Sequence, residues 1–121
     1  MPIIRSEQIA ALRAHATERF IREVAEYLRS DFANQLATNR VPATEVQEII
    51  RAGISRARGY GISSDRDLRA YAEFQAVLGP LFDQDPKYPA VRQVLTDPNR
   101  DGRAKIEAID QILLFGGDVP R

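Results

Sequence analysis

No cysteine occurs among the 121 residues, so the chain carries no disulfide, no thiolate nucleophile and no thiolate metal ligand, which suits a reducing compartment. Tryptophan is also absent, and a single histidine, His15, removes metal sites built on several imidazoles. No apolar run comes near the roughly 20 residues that span a bilayer. The opening MPIIRSEQIAALRAHA contains Arg5, Glu7 and Arg13, and so lacks the uninterrupted apolar stretch of a signal peptide. The expected location is cytoplasmic. An excess of one charge is missing too: Lys and Arg number 17, as do Asp and Glu. Residues 1–60 hold nine basic and seven acidic side chains, and residues 61–121 hold eight and ten. Neither half offers the concentrated positive footprint that a phosphate backbone requires, so neither nucleic acid nor a membrane is an expected partner.

What is present is the balance of a folded domain, 44% hydrophobic and 28% charged, at a length typical of one core. Ser6 is a good N-cap, and Ile9, Leu12, Ala16, Phe20, Val24 and Tyr27 or Leu28 recur at helical spacing. Arg13, Glu18, Arg22, Glu26 and Arg29 lie opposite. This first helix is expected to end between Ser30 and Asn39, before a loop around Pro42. Thr44 and Gln47 then suggest a capping box for a second helix that buries Val46, Ile49, Ile50, Ile54 and Ala57, with Gly53 where another helix comes close. Arg58-Gly59-Tyr60-Gly61-Ile62 reads as a glycine stop with an apolar residue folded back on the last turn.

Ser63, Ser64 and Asp65 supply the next N-cap, and Leu68, Tyr71, Phe74, Val77 and Leu78 mark a central third helix that ends at Gly79-Pro80. Leu81 and Phe82 continue its apolar surface. A polar, proline-bearing connection from Asp83 to Pro89 leads to a short helix with Val91, Val94 and Leu95. The last helix, from about Asp101, carries Ile106, Ile109, Ile112 and Leu113, and a mobile tail is expected from about residue 116. No stretch alternates with period two. The expected fold is all-α, an irregular bundle of four to five helices in a single domain covering residues 1–121.

The candidate chemical sites are weak. Asp97-x-Asn99-x-Asp101-Gly102 resembles the first half of a calcium loop, but the twelfth position, which should supply a bidentate carboxylate, is Ala108. An Asp-Pro turn followed by a helix cap explains it better. His15 has no cysteine to activate and reads as a residue flanking the core. The pairs Asp65 with Asp67, Asp83 with Asp85, and Glu23 with Glu26 fall at caps, loops or exposed helix positions rather than in the differently tuned environments of acid–base catalysis. Gly59-x-Gly61 lacks the strand and the third glycine of a phosphate loop. The chain is therefore expected not to be an enzyme and to need no cofactor or metal. Arg56, Arg58, Tyr60 and Arg66 cluster in sequence around one turn and are the candidate partner-binding residues, because arginine and tyrosine are enriched at interfaces. The alternative is that Arg56 and Arg58 pair with Asp65 or Asp67 and with the last carbonyls of their helix.

The run Ala52 to Ile62, followed by Asp65-Arg66-Asp67-Leu68 and by Leu78-Gly79-x-x-Phe82-Asp83-x-Asp85-Pro86, resembles small helical proteins encoded beside type VI secretion effectors, their adaptor-chaperones and spike-tip proteins in Gram-negative bacteria. The resemblance spans roughly residues 45 to 100. It implies an accessory role, such as a co-chaperone or adaptor for effector loading, with a secretion adaptor-chaperone or effector as the protein partner. The family offers no active site to transfer. The alternative is an immunity protein that neutralises a toxin, and self-association as a homodimer stays open.

Overall fold

The computed structural model describes the backbone of residues 6–115 and the side chains of residues 16–115. His15, Ile9, Leu12 and the tail expected from about residue 116 lie outside the described side chains. Among the described residues the chain is all-helical: α1 (Ser6–Asp31), α2 (Ala33–Thr38), α3 (Val46–Gly59), α4 (Asp65–Leu78), α5 (Pro89–Leu95) and α6 (Gly102–Phe115), with 3-10 turns at Ala43–Glu45 and Phe82–Gln84. No described helix is long and apolar enough to cross a membrane.

Six helices stand where four or five were expected because the first one breaks. Phe32 leaves helical geometry (φ −123°, ψ 25°) and its ring meets Tyr27 edge-on at 5.5 Å. The chain then turns inward, and α2 buries Leu36. The core face of α1 is Ile21, Val24, Ala25 and Leu28, so the stripe sits slightly off the one expected: Ala16 is exposed and Phe20 half-buried.

The expected capping box does not form. A 3-10 turn at Ala43–Glu45 leads into α3, and Glu45, the residue before the helix, makes no side-chain cap. The other end of α3 follows expectation closely. Ile62 N–H donates to the Ala57 carbonyl (2.9 Å) and Gly61 N–H to that of Arg58 (3.0 Å), the paired bonds of a Schellman turn. Gly61 sits at φ +85°, which an L side chain resists, and Ile62 folds back with no exposed surface. Ser64 caps α4 by accepting from the Asp67 N–H at 3.2 Å.

Helix α4 is central, touching α1, α2, α3, α6 and the second 3-10 turn. Its core face is Leu68, Tyr71, Ala72, Phe74 and Leu78, whereas Val77 is exposed. Beyond Gly79, Phe82 re-enters the core against Tyr71 (4.9 Å) and Phe74 (5.9 Å), while Leu81 points out, 56% exposed. Asn39 holds the end of α4 from outside, its amide donating to the Ala76 carbonyl at 2.8 Å.

Two helix crossings depend on missing side chains. Gly53 is buried on α3, and a methyl group there would run into the Gln75 amide on α4. At the start of α6, a methyl group on Gly102 would lie 2.5 Å from the Gly61 carbonyl oxygen and 2.9 Å from Ile62 Cα. Lys105, 6% exposed, adds a hydrogen bond from its ammonium to the Tyr60 carbonyl at 2.7 Å. The end of α3 is thus the seat on which α6 rests. Gly102→Ala must push backbone against backbone and should cost about 1–3 kcal/mol of stability by urea unfolding. Gly59, with open space around its Cα, is the control: Gly59→Ala should stabilise by about 0.5 kcal/mol or leave stability unchanged.

Candidate functional site

Of the four residues expected to bind a partner, the structure brings two together around a fifth that the sequence reading placed elsewhere. Asp83 belongs to the supposed polar connection, yet its side chain has no exposed surface. Oδ2 accepts from Arg56 Nε at 3.0 Å and from the Tyr60 hydroxyl at 2.9 Å. Arg56 and Tyr60 are four apart at the end of α3, so they lie on one face of the chain there. Arg56 also donates through Nη2 to the Pro80 carbonyl (2.9 Å), and Arg92 of α5 donates to the Asp83 carbonyl (3.1 Å). Neither Asp65 nor Asp67 pairs with Arg56 or Arg58: Arg56 is engaged by Asp83 and the Pro80 carbonyl.

The other two candidates are separate from this cluster. Arg58 reaches Thr17 on α1 at 3.5 Å. Arg66 is exposed and lines a small polar cleft with Asp67, Arg103 and Asp110. Asp67 is 6% exposed, and Arg103 Nη1 approaches its Oδ1 at 3.5 Å. Two of the three carboxylate pairs singled out by sequence therefore contain a buried member, Asp67 and Asp83. Hydropathy gave no sign of either. The available signal for Asp83 was its place directly after Phe82, a residue with strong reason to be buried.

The electrostatics of the cluster are those of a closed contact. For the Arg56 guanidinium, burial favours the neutral form, but the hydrogen bond and charge of Asp83 outweigh it and hold the group above its ordinary value. Burial, then Asp83, raises the Tyr60 phenol, and burial raises Tyr71, again with Asp83 adding to the effect. With Oδ2 engaged twice and the side chain sealed, no solute reaches the carboxylate unless the turn opens. The calcium-like segment is likewise engaged locally: Asp97 accepts from the Asn99 N–H (2.9 Å) and pairs with Arg100 (3.2 Å), and Asp101 caps α6 by accepting from Ala104 N–H (2.8 Å).

Beside the cluster, the corner between α4 and α5 forms a cleft of about 590 Å³ lined by Leu78, Pro80, Leu81, Tyr88 and Asn39 among others. A second groove of about 600 Å³ runs between α5 and α6, with Val94, Ala108 and Ile112 in its lining and Gln93, Asp97 and Gln111 beside them. Comparison with models of known protein families, with curated proteins and with solved structures finds no match to this chain.

A different polar contact joins α4 to α1. Glu73 accepts from the Tyr27 hydroxyl at 3.4 Å, and Arg69, 4.0 Å from the same carboxylate, stacks 4.1 Å above the Tyr27 ring. Burial raises the Glu73 carboxyl above its ordinary value, and Arg69 and Tyr27 reverse only part of that. Asp110, facing it from α6, is raised by burial against the pull of Arg103.

Two predictions test these contacts. Arg56→Ala leaves the Asp83 charge buried with one donor fewer and should cost about 3 kcal/mol in urea unfolding, whereas Arg58→Ala should stay within about 0.5 kcal/mol. Raised carboxyls bind protons more tightly in the folded state, so the stability they contribute is lost as pH rises through their folded values. Glu73→Gln should therefore be more stable than the natural chain at neutral pH. The difference should shrink steadily as urea midpoints are measured toward the ordinary glutamate value of 4.5.

Proposed function

We propose that the chain is a non-enzymatic protein-binding accessory factor, a co-chaperone or adaptor for loading a type VI secretion effector, which docks its partner at the α4–α5 corner. The observation that carries this reading is the corner itself. Leu81 is 56% exposed on the wall of the cleft, and the segment that presents it is held by donors from α3 and α5. An apolar side chain displayed on an ordered turn beside a cleft is the arrangement of an interface anchor.

The resemblance of residues 45 to 100 to proteins of secretion-effector loci supplies the class of partner. Arg58 and Arg66 remain the exposed members of the predicted patch and lie away from this corner, Arg58 against Thr17 of α1 and Arg66 at the opposite end of α4. Arg56 and Tyr60 contribute indirectly, by fixing the corner through Asp83.

Affinity capture of the tagged chain from its own cells should recover an adaptor-chaperone or a secretion effector. Leu81→Asp should lower that recovery by at least about tenfold, the loss expected for one apolar anchor, without changing the circular dichroism spectrum or the urea midpoint. Unchanged recovery with Leu81→Asp would reject the corner as the docking face. Recovery of a toxin domain alone would replace this reading with the immunity one, and recovery of neither would sink both.

A further inference from the structure

Among the described residues the large apolar side chains left exposed are Val77, Leu81, Leu114 and Phe115, at 42%, 56%, 75% and 77%. They come from two distant parts of the sequence, and the register of the helices gathers them at one end of the molecule. Helices α4 and α6 run in the same direction: Asp67 meets Arg103 at 3.5 Å, Ala70 lines one cleft with Ile106 and Glu107, and Asp110 adds its charge to Glu73. Residues four apart share a helix face, so one turn beyond Glu73 and Asp110 stand Val77 and Leu114. The other flank of α6 faces α5, where Gln111 and Ile112 share a groove with Ala90. Phe115 is four residues past Gln111, which brings it level with the start of α5. There Tyr88 and Leu81 line the corner cleft together.

The size and charge of this patch select what covers it. At these exposures the four side chains present about 400 Å² of apolar surface, the size of a patch that is often functional on a single chain. Two copies meeting face to face would remove about 800 Å² of it, and with an apolar share of about 65% that corresponds to about 1,200 Å² in all, the lower bound for a specific dimer. Charge raises no barrier to a second copy. The chain holds 17 basic and 17 acidic residues, so two molecules carry no net repulsion at neutral pH. The rim of the patch offers the amides of Gln84 and Gln111 with one charge of each sign, Asp85 and Lys87. An apolar patch with a balanced rim is its own complement, the condition for a two-fold contact. We propose that the ends of α4 and α6, together with Leu81, form the interface of a two-fold homodimer of micromolar affinity. Leu81 is common to this face and to the docking corner, yet the dimer does not rest on the proposed function and is tested without any other protein.

At neutral pH, sedimentation velocity of the purified full chain should show a mass that rises from one copy to two across roughly 1–200 µM. Leu114→Asp and Phe115→Asp should each weaken association at least about tenfold, with the circular dichroism spectrum and the urea midpoint unchanged because both side chains are exposed. Arg66→Ala changes the net charge by the same amount at the opposite end of α4 and should leave association as it is. A natural chain that stays monomeric throughout would overturn the proposal and leave the patch to another protein or to residues 116–121. So would association that persists in both aspartate variants, that is lost in Arg66→Ala, or that continues past two copies, since a closed two-fold contact ends at two.

Discussion

A carboxylate loses its hydration when it enters a protein interior, and only close donors make up for the loss. Asp83 is carried inside because it follows Phe82, whose ring fills the space beside Tyr71 and Phe74. Burying the ring and burying the charge are one event. The remedy comes from α3, where Arg56 and Tyr60 meet the same oxygen, and where Arg56 also takes the Pro80 carbonyl. That carbonyl is shared with the Gln75 amide of α4 at 3.2 Å. The corner after α4 therefore cannot be positioned without α3, and α5, tied by Arg92 to the Asp83 backbone, cannot be positioned without the corner.

Tyr60 links this constraint to a second one. Its hydroxyl serves Asp83, while its carbonyl accepts the buried Lys105 ammonium of α6. The residues just after it, Gly61 and Ile62, present the backbone on which Gly102 rests. Residues 56–62 thus organise two distant segments, around 80–83 and 102–105. This gives a structural cause for the joint occurrence of the Arg56-to-Ile62 run and the Phe82-Asp83 motif: they are one cluster in space. The pattern that first suggested partner contact is explained in large part by packing, and the binding surface has to be sought beside it.

Local signals were legible in the sequence wherever a single residue decides a backbone geometry. The stop at Gly61-Ile62, the Ser64 cap, the break at Gly79-Pro80 and the close approach at Gly53 could all be read from residue type, because each depends on a left-handed φ, a short side-chain acceptor or an absent Cβ. The break at Phe32 could not, since it contains neither glycine nor proline; there the Phe32 ring packs edge-on against Tyr27. The capping box at Thr44 failed for a related reason: the chain enters α3 through a 3-10 turn, so Thr44 does not stand at the helix end. Arg56 and Tyr60 stand out in the sequence as interface-type residues, but linear spacing offers Arg56 only the nearby Asp65 and Asp67 and the last carbonyls of its helix, and offers Tyr60 no partner. Asp83, which both of them meet, lies 27 and 23 residues away.

The two polar layers around α4 differ in how well they are compensated, and the difference bears on where a partner would dock. Toward α3, the Asp83 carboxylate is met by a guanidinium and a phenol at short range. Toward α1, Glu73 is met by the Tyr27 phenol at 3.4 Å and by the Arg69 guanidinium of its own helix at 4.0 Å, and both Glu73 and Asp110 of α6 are held above their ordinary values. A surface built over the first layer is ordered before anything binds to it. Under the proposed function, a partner seated on Leu81 would spend little of its interaction free energy on fixing the corner, since α3 and α5 have already done so. The same exposed leucine on an unpinned loop would lose that advantage, so the buried Asp83 cluster contributes to recognition through the shape it enforces, without touching the partner.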